Sequence, residues 1–186
     1  DGNRRYGEKI FKKPFKGHNK GGEKIYDIIL YGLKNNIKNM SFYVLSNENW
    51  NRKEKELSLL LNNLLSFLDK FINNDIYFQN IEKKYNKIGF SLKEIKFKFI
   101  SSNTKLNNKY FQKFNIIENM HIKHNKKINI HFFISYSSRE DIINTIKKIK
   151  NKKLINEKNF SDFLSTKTIP NPEIVIRTGG YQRLSN

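Results

Sequence analysis

The 186-residue sequence contains no cysteine, one tryptophan and only three prolines. Without cysteine, the chain has neither disulfide bonds nor thiolate nucleophiles or metal ligands. No apolar run reaches the roughly 20 residues that a membrane-spanning helix needs, and no secretory signal opens the chain. A chain of this length is expected to form one domain with its own core.

Acidic residues are scarce: 17 of them stand against 36 lysines and arginines, which gives a net charge of +19. This charge predicts attraction to polyanions, to anionic membrane surfaces or to phosphorylated small molecules. Many lysines lie in stretches rich in asparagine and isoleucine, which indicates a compositional bias and a solvated surface. Charge alone therefore does not choose between these partners.

Several common catalytic motifs are missing as well. The sequence has no GxxxxGK[ST] phosphate loop, no GxGxxG, no HExxH, no cysteine pair and no DDxxD cluster. Nucleotide hydrolysis and zinc chemistry therefore lose support.

Short apolar segments of strand length alternate with longer segments of helical spacing. The predicted strands are Asn39–Ser46, Ile95–Ile100, Ile128–Tyr136 and a buried strand at 173–178. The predicted helices cover 53–72, 108–124 and 139–151, and a further short helix precedes Pro170. This order predicts an α/β fold with a mostly parallel central sheet and helices on both faces, in which ligands gather at the carboxyl ends of the strands.

Residues 1–6 read DGNRRY and combine a carboxylate, a glycine, an amide and two arginines. If a helix starts there, its free N–H groups would bind a phosphate, Arg5 would pair with it, and Asp1 would hold a magnesium ion. The alternative is a capped, charged loop. His18 follows within GHNKGG, where a histidine is also typical of a surface or capping position.

Two polar motifs follow predicted strands. Residues 46–52 read SNENWNR, and the alternative to a binding site is a polar loop with Trp50 in the core and Glu48 and Arg52 in solvent. The closing residues, RTGGYQRLSN, place Arg177, Arg183 and Ser185 around a glycine pair. Two guanidinium forks and a hydroxyl suit a branched anion.

These four blocks, in this order and with this spacing from the first residue to the last, resemble the signature of the cis-prenyltransferases, the undecaprenyl and dehydrodolichyl diphosphate synthase family. The two arginines of DGNRRY are more similar to the eukaryotic form. The resemblance implies a fold with a hydrophobic tunnel and a single cis-prenyltransferase-like domain over 1–186. It also implies a fragment: the chain starts at Asp1 without methionine, and the family continues past Asn186 with a second acidic metal ligand and a tail.

The activity implied by the resemblance is condensation of isopentenyl diphosphate with an allylic diphosphate, farnesyl or geranylgeranyl. The product would be a polyprenyl diphosphate for dolichol or polyprenol synthesis, made with Mg²⁺. The enzyme would be intracellular and peripheral to a membrane, of the endoplasmic reticulum or an organelle, whose surface receives the product. A homodimer, or a heterodimer with a related subunit, is expected, and nucleic acid is not expected as a partner.

The resemblance also implies roles for single residues. Asp1 would be the metal ligand, and Asp1 and Asn49 would be the catalytic residues. Because a neutral carboxamide is barely basic, we expect Asn49 to position the substrate rather than to accept a proton. The allylic diphosphate would be held near the start of the chain, with Tyr6 beside its first isoprene unit, and isopentenyl diphosphate near its end. The substrate-binding positions are Gly2, Asn3, Arg4, Arg5, Tyr6, His18, Ser46, Asn47, Glu48, Trp50, Arg52, Arg177, Arg183, Leu184 and Ser185.

The chain departs from the family pattern at a few positions. Pro14 stands where a basic residue is usual, with Lys13 and Lys16 as possible substitutes, Tyr181 replaces an acidic residue, and serines stand at 137 and 138 where glycine is frequent.

One apolar face offers two interpretations. The leucine-rich face of the helix at 53–72 either lines a tunnel for the growing product or packs in the core. The leucines concerned are Leu57, Leu60, Leu61, Leu64, Leu65 and Leu68.

Two other functions compete with prenyl transfer. The first is a basic nucleic-acid-binding α/β domain, which would explain the charge but not the motifs. The second is a non-catalytic partner subunit of a prenyltransferase, although the signature residues that such subunits tend to lose are present here.

Overall fold

The computed structural model describes residues 2–102, 105–120, 122–149, 151 and 155–183. They cluster into two compact units. One comprises the residues up to Lys38 together with those from Asn171 onward, and the other runs from Asn39 to Pro170. The prediction of a single domain stays a prediction. No helix in these ranges is both long and apolar enough to cross a bilayer.

The first unit contains two helices, α1 (Asn3–Phe11) and α2 (Pro14–Lys34). Proline suits the first turn of α2, because its fixed φ is helical and the N–H that it lacks would have no partner there. Tyr26, Ile29 and Leu33 recur along α2 at helical spacing and are buried. The helix is therefore amphipathic, with one buried face.

The second unit is built on a three-stranded sheet. The strands β1 (Asn39–Ser46), β2 (Ile95–Ile100) and β3 (Ile128–Tyr136) lie in the order β1-β3-β2, and both pairs are parallel. Their bounds confirm three of the predicted strands. The α/β fold class with a parallel sheet is confirmed with them.

Four helices accompany the sheet: α3 (Glu54–Ile72), α4 (Ile76–Asn86), α5 (Asn108–Asn119) and α6 (Ser138–Lys148). Shorter 3₁₀ helices occupy Asn47–Asn51, Leu92–Glu94 and Phe160–Phe163. Side chains cap two of the α-helices. Asp75 accepts from the backbone N–H groups of Tyr77 and Phe78, and Asn107 accepts from that of Lys109. Each cap gives a partner to N–H groups that the helix itself leaves unpaired.

Aromatic rings fill the space between the sheet and its helices. The Phe99 ring on β2 stacks 4.4 Å from that of Phe114 on α5 and 5.5 Å from that of Phe132 on β3. Phe71 of α3 meets Phe97 edge-on at 5.2 Å. These contacts fix α3 and α5 against one face of the sheet, since buried aromatic pairs add to the free energy of burial.

Several predicted helix ends were wrong. The helix at 108–124 ends at Asn119, and the helix at 139–151 is α6, which begins at Ser138 and ends at Lys148. Met120 has extended backbone, and Ile122 beyond it is 67% exposed. A further turn there would therefore bury little. The short helix predicted before Pro170 is the 3₁₀ turn at Phe160–Phe163.

The predicted buried strand at 173–178 was also wrong. These residues have no regular secondary structure, and Ile174, Val175 and Ile176 are 79%, 64% and 83% exposed. The three described strands pair with each other and not with this segment. An apolar run becomes a buried strand only where a neighbour supplies hydrogen bonds and cover.

The leucine-rich face lies on α3, which begins one residue later than predicted, at Glu54, and ends at Ile72 as predicted. Leu68 is buried, whereas Leu57, Leu60, Leu61, Leu64 and Leu65 are partly exposed. Both interpretations of this face, tunnel wall and core, stay predictions.

Candidate functional site

The start of α1 carries the first cluster of predicted site residues. Gly2 is its N-cap, with φ of 81°, and no side chain caps the helix. Arg4 and Arg5 lie in the first turn, which has no acidic residue. The helix thus begins inside the DGNRRY motif, and the helix dipole and two arginines both favour an anion there.

Asn3 is fixed by glycines of the neighbouring helix. A Cβ on Gly17 would lie 1.8 Å from the carbonyl oxygen of Asn3, and one on Gly21 would lie 2.3 Å from its side-chain nitrogen. Both distances are far too short for any larger residue. His18 follows Gly17 on α2, where its ring lies 6.3 Å from that of Phe15. The glycines of GHNKGG therefore position Asn3 by close helix packing.

An open cleft of about 470 Å³ adjoins this helix start. Four of the predicted substrate-binding residues line it, and two further residues, Lys9 and Gly179, were not singled out in the sequence. The lining residues are Gly2, Asn3, Arg5, Tyr6, Lys9 and Gly179. Among the described residues that line the cleft, two are cationic and none is acidic, so this part of the cleft suits an anionic ligand.

The closing loop meets α1 through Arg5. Its guanidinium donates to the carbonyl oxygen of Gly179 over 2.6 Å. Gly179 and Gly180 both have positive φ, 93° and 77°, which glycine adopts without steric cost. Arg177 donates to the carbonyl oxygen of Arg183 over 2.9 Å, so the loop folds back on itself. Two segments at opposite ends of the sequence are thereby brought together, a contact that the sequence analysis did not predict.

Three predicted site residues lie outside the described residues: Asp1, Leu184 and Ser185. The described ranges contain no group of three or more acidic or histidine side chains that could hold a metal ion. The predicted magnesium site at Asp1 therefore stays a prediction.

The SNENWNR motif forms a second cluster, in the unit that contains the sheet. After β1 ends at Ser46, the chain turns into the 3₁₀ helix Asn47–Asn51. The Asn49 side-chain amide donates to the Ser46 hydroxyl over 3.1 Å, and the Trp50 indole N–H donates to the Ser135 hydroxyl over 2.7 Å. Ser135 in turn donates to the Asn47 side-chain oxygen over 3.3 Å. The motif is thus fixed to the end of β3.

The Asn47 amide also donates to Glu140 of α6. Arg52 is partly buried and pairs with Glu56 one helical turn onward, at 2.6 Å. The alternative interpretation therefore holds for Glu48, which is exposed, but not for Arg52. Trp50 is partly exposed rather than in the core. The motif is therefore a hydrogen-bonded loop whose indole is not fully buried, and its role in substrate binding stays a prediction.

Ser135 was missed in the sequence. It is fully buried and has φ of 52°, in the left-handed region that a residue with a Cβ seldom adopts. Its carbonyl accepts from the backbone N–H of Ser102 and from the hydroxyl of Ser101. The pairing of β1 with β3 shifts register at this point. Strain of this kind costs about 1–3 kcal/mol and tends to occur at functional sites.

Two tyrosines complete this cluster. The Tyr43 hydroxyl donates to the carbonyl oxygen of Tyr136 over 2.6 Å, and burial together with the Glu48 carboxylate raises the pKa of Tyr43 to about 12. The Tyr136 hydroxyl donates to Asp141, and burial beside that carboxylate raises the Tyr136 pKa as well. Both phenols are therefore hydrogen-bond donors at neutral pH and not bases.

Comparison with known proteins identifies the family of the chain. The family model for undecaprenyl diphosphate synthase matches residues 1–186. The chain belongs to the undecaprenyl diphosphate synthase family. This membership confirms the resemblance to cis-prenyltransferases; the closer likeness to the eukaryotic form stays a prediction.

Curated cis-prenyltransferases match over the whole chain. The tritrans,polycis-undecaprenyl-diphosphate synthase (geranylgeranyl-diphosphate specific) of Picrophilus torridus is 30% identical over 194 residues. The ditrans,polycis-undecaprenyl-diphosphate synthase ((2E,6E)-farnesyl-diphosphate specific) of Buchnera aphidicola is 34% identical. The matches cover 71% and 72% of these two relatives.

Solved structures support the fold. A complex of lavandulyl diphosphate synthase from Lavandula x intermedia with dimethylallyl diphosphate superposes with a TM-score of 0.71, at 22% identity, over 90% of this cis-prenyltransferase and 68% of that chain. A probable undecaprenyl diphosphate synthase from Campylobacter jejuni gives a TM-score of 0.58 at 25% identity, over 77% of this chain and 62% of that one. The chain thus spans less than two thirds of the Campylobacter protein.

Proposed function

We propose that this cis-prenyltransferase condenses isopentenyl diphosphate with an allylic diphosphate, farnesyl or geranylgeranyl, and forms a cis double bond at each step. The observation that carries the proposal is the hydrogen bond between Arg5 and Gly179. It joins the start of α1 to the closing loop, so Arg5, which lines an open cleft, contacts the same Tyr181 ring as Arg177 and Arg183 of that loop. Two diphosphate substrates require such a concentration of guanidinium groups.

The allylic diphosphate is assigned to the start of α1. Gly2, Asn3, Arg4 and Arg5 would bind its phosphate oxygens through backbone N–H groups and guanidinium groups, with help from His18. Tyr6 lines the cleft and is half-exposed, which suits contact with the first isoprene unit. Isopentenyl diphosphate is assigned to the closing loop, to Arg177, Arg183, Leu184 and Ser185.

The proposed reaction breaks the allylic carbon–oxygen bond and joins that carbon to the terminal alkene carbon of isopentenyl diphosphate. This leaves a positive charge on the internal alkene carbon, and a proton then leaves the methylene carbon next to it to form the new double bond. A phosphate oxygen is a better acceptor for that proton than any neutral amide. Negative charge grows on the departing diphosphate. Fixed guanidinium and N–H donors offset that charge more strongly as it develops, which lowers the barrier.

The SNENWNR cluster is assigned to positioning and substrate contact. Asn47 and Trp50 are hydrogen-bonded to Ser135 at the end of β3, and Asn49 is hydrogen-bonded to Ser46. A neutral amide held by Ser46 suits Asn49 to orient a substrate group. Glu48 and Arg52 are included in the proposed site because they occupy matching family positions.

Magnesium is proposed as the cofactor, with Asp1 as its protein ligand. Mg²⁺ commonly takes only one or two carboxylates and completes its shell with phosphate oxygens and water, so a cluster of three protein ligands is not required. When bound, the ion would offset charge on the leaving diphosphate.

The proposed product is a polyprenyl diphosphate for dolichol or polyprenol synthesis. Its long apolar chain would leave the enzyme for a bilayer, so we propose an intracellular enzyme at the surface of the endoplasmic reticulum or an organelle. The proposed assembly is a homodimer, or a heterodimer with a related subunit. The net charge of +19 supports attraction to an anionic membrane surface.

The test is to incubate the full-length protein with farnesyl or geranylgeranyl diphosphate, labelled isopentenyl diphosphate and magnesium, and to analyse the extracted lipids. We expect labelled polyprenyl products, lost when magnesium is chelated and strongly reduced in Arg5→Ala. Lys24→Ala, which removes an exposed cation elsewhere in the same unit, is the matched control. The absence of product with every primer, together with tight, salt-dependent nucleic-acid binding, would favour the alternative function.

A further inference from the structure

Three guanidinium groups surround the ring of Tyr181. The central carbon of Arg5 lies 4.5 Å from the ring centroid, that of Arg183 5.2 Å and that of Arg177 5.9 Å. All three distances are within the range of a cation–π contact, about 6 Å. The arginines come from α1 and from both sides of the glycine pair, and one aromatic side chain connects them.

Guanidinium groups at this spacing repel each other, so they need a compensating partner to stay together without a ligand. The ring face of tyrosine has a negative electrostatic potential and attracts them. Backbone carbonyl oxygens add to this, since Arg5 donates to Gly179 and Arg177 donates to Arg183. Neither the ring nor a carbonyl has a net charge, so these contacts cancel none of the positive charge of the cluster.

The loop geometry brings Tyr181 to this position. Gly179 and Gly180, with positive φ, turn the chain directly before it. A Cβ on Gly2 would lie 3.3 Å from the Cα of Gly179, which shows how closely the loop approaches the start of α1. Tyr181 is 44% exposed and does not pack in the core, so the arginines can contact its ring.

We propose that Tyr181 is a positioning residue that holds Arg5, Arg177 and Arg183 as one preorganised cluster for a diphosphate group. A carboxylate at this position would also attract the arginines, but it would cancel one of their charges. The aromatic ring holds the three arginines together without adding a negative charge that would compete with the ligand. Arginines that are already in place lose less conformational freedom when the diphosphate binds.

This inference rests on the proposed function, and inorganic pyrophosphate is the probe that separates the two. Titration calorimetry measures its affinity for the full-length protein and for Tyr181→Phe, Tyr181→Leu and Tyr31→Leu. Phenylalanine keeps the ring, whereas leucine removes it. Tyr31→Leu is the control, because this exposed tyrosine on α2 belongs to the same unit. Thermal unfolding verifies that each variant folds. If Tyr181→Leu does not fold, Tyr181→Gln is used in its place.

An exposed cation–π contact changes an equilibrium by about two- to fivefold, so loss of three such contacts is expected to weaken pyrophosphate binding about ten- to a hundredfold in Tyr181→Leu. Tyr181→Phe and Tyr31→Leu should stay within about twofold of the parent. In the enzyme assay, the KM for isopentenyl diphosphate should rise in Tyr181→Leu by a similar factor, with kcat nearly unchanged.

Unchanged pyrophosphate affinity in Tyr181→Leu, or an equal loss in Tyr181→Phe, would overturn the inference, as would a parent protein that does not bind pyrophosphate. If pyrophosphate affinity falls in Tyr181→Leu but not in Tyr181→Phe, and the protein makes no polyprenyl product, the arginine cluster is supported and only the proposed function is contradicted.

Discussion

The indole N–H of Trp50 donates to the hydroxyl oxygen of Ser135 over 2.7 Å, across 85 positions of sequence. Ser135 is fully buried at the end of β3 and has left-handed backbone. One serine thus connects the sheet to the 3₁₀ helix that carries Asn47 and Asn49. The position of this motif depends on a residue outside it.

Replacing Ser135 with alanine is expected to lower kcat more than stability. The substitution removes the acceptor of Trp50, and a partly buried donor left without a partner costs about 1–3 kcal/mol. The left-handed backbone stays, so the loss falls on the SNENWNR motif. Steady-state kinetics and thermal unfolding of Ser135→Ala, Trp50→Phe and the double variant form a mutant cycle. Additive effects on kcat would show that the two residues do not act together.

Arginine 183 is expected to contribute mainly to the use of isopentenyl diphosphate. Arg183→Ala removes a charge-assisted contact worth about 1.5–3 kcal/mol, so KM for this substrate should rise about ten- to a hundredfold. Arg183→Lys should recover only part of the loss, because an ammonium group lacks the bidentate fork. Kinetics with the allylic substrate at saturation provide the measurement. Parental KM in Arg183→Ala would place isopentenyl diphosphate elsewhere.

The partly exposed face of α3 gives a prediction about product length. Leu65→Trp adds volume next to other partly exposed leucines and should shorten the polyprenyl product while the protein stays folded. Leu68 is only 2% exposed, so Leu68→Trp should instead destabilise the fold, by about 1–3 kcal/mol. Chromatography of the extracted lipids and thermal unfolding distinguish the two. A folded Leu65→Trp protein with products of parental length would argue against a tunnel wall here.

Secondary structure was predictable where it depends on the pattern of apolar residues within a short segment. The three strands of the sheet follow from apolar and β-branched runs, and their bounds agree with the prediction. The segment at 173–178 has the same kind of pattern, yet Ile176 is 83% exposed. Whether an apolar run is paired depends on residues far away in sequence, and no local pattern contains that information.

The candidate site was predictable where residue type determines chemistry. Arginines and glycines in DGNRRY and RTGGYQRLSN indicated an anion site, and Arg5 does meet Gly179. Ser135 and Tyr181 could not be assigned in the same way. The role of Ser135 comes from positive φ and a contact with Trp50, and that of Tyr181 comes from three arginines that only the folded loop brings together. A small polar residue near the end of the apolar strand β3 was the available signal for Ser135.

Histidine 131 predicts how stability depends on pH. It is buried on β3, in contact with Ser41 and opposite Lys98, and burial together with Lys98 and Lys96 lowers its pKa below the usual 6.5. Below about pH 6.5 the unfolded state therefore binds more protons than the folded state. The free energy of unfolding should be highest above that pH and should decrease as the pH falls through it. Urea unfolding from pH 7.5 to 5 measures the trend.

In His131→Gln this decrease should be smaller, since the neutral amide does not titrate. His124→Gln, on an exposed turn, controls for the loss of one histidine. If the free energy of unfolding decreased as steeply in His131→Gln as in the parent, the pH dependence would come from groups other than His131.

The geometry of the new double bond tests the central claim most directly. The full-length protein is given farnesyl diphosphate, magnesium and ¹³C-labelled isopentenyl diphosphate, and NMR of the purified product determines the configuration of each added unit. The account predicts that every added double bond is cis and that the primer keeps its trans bonds. Added units in the trans configuration, or a primer recovered without any added unit, would contradict it.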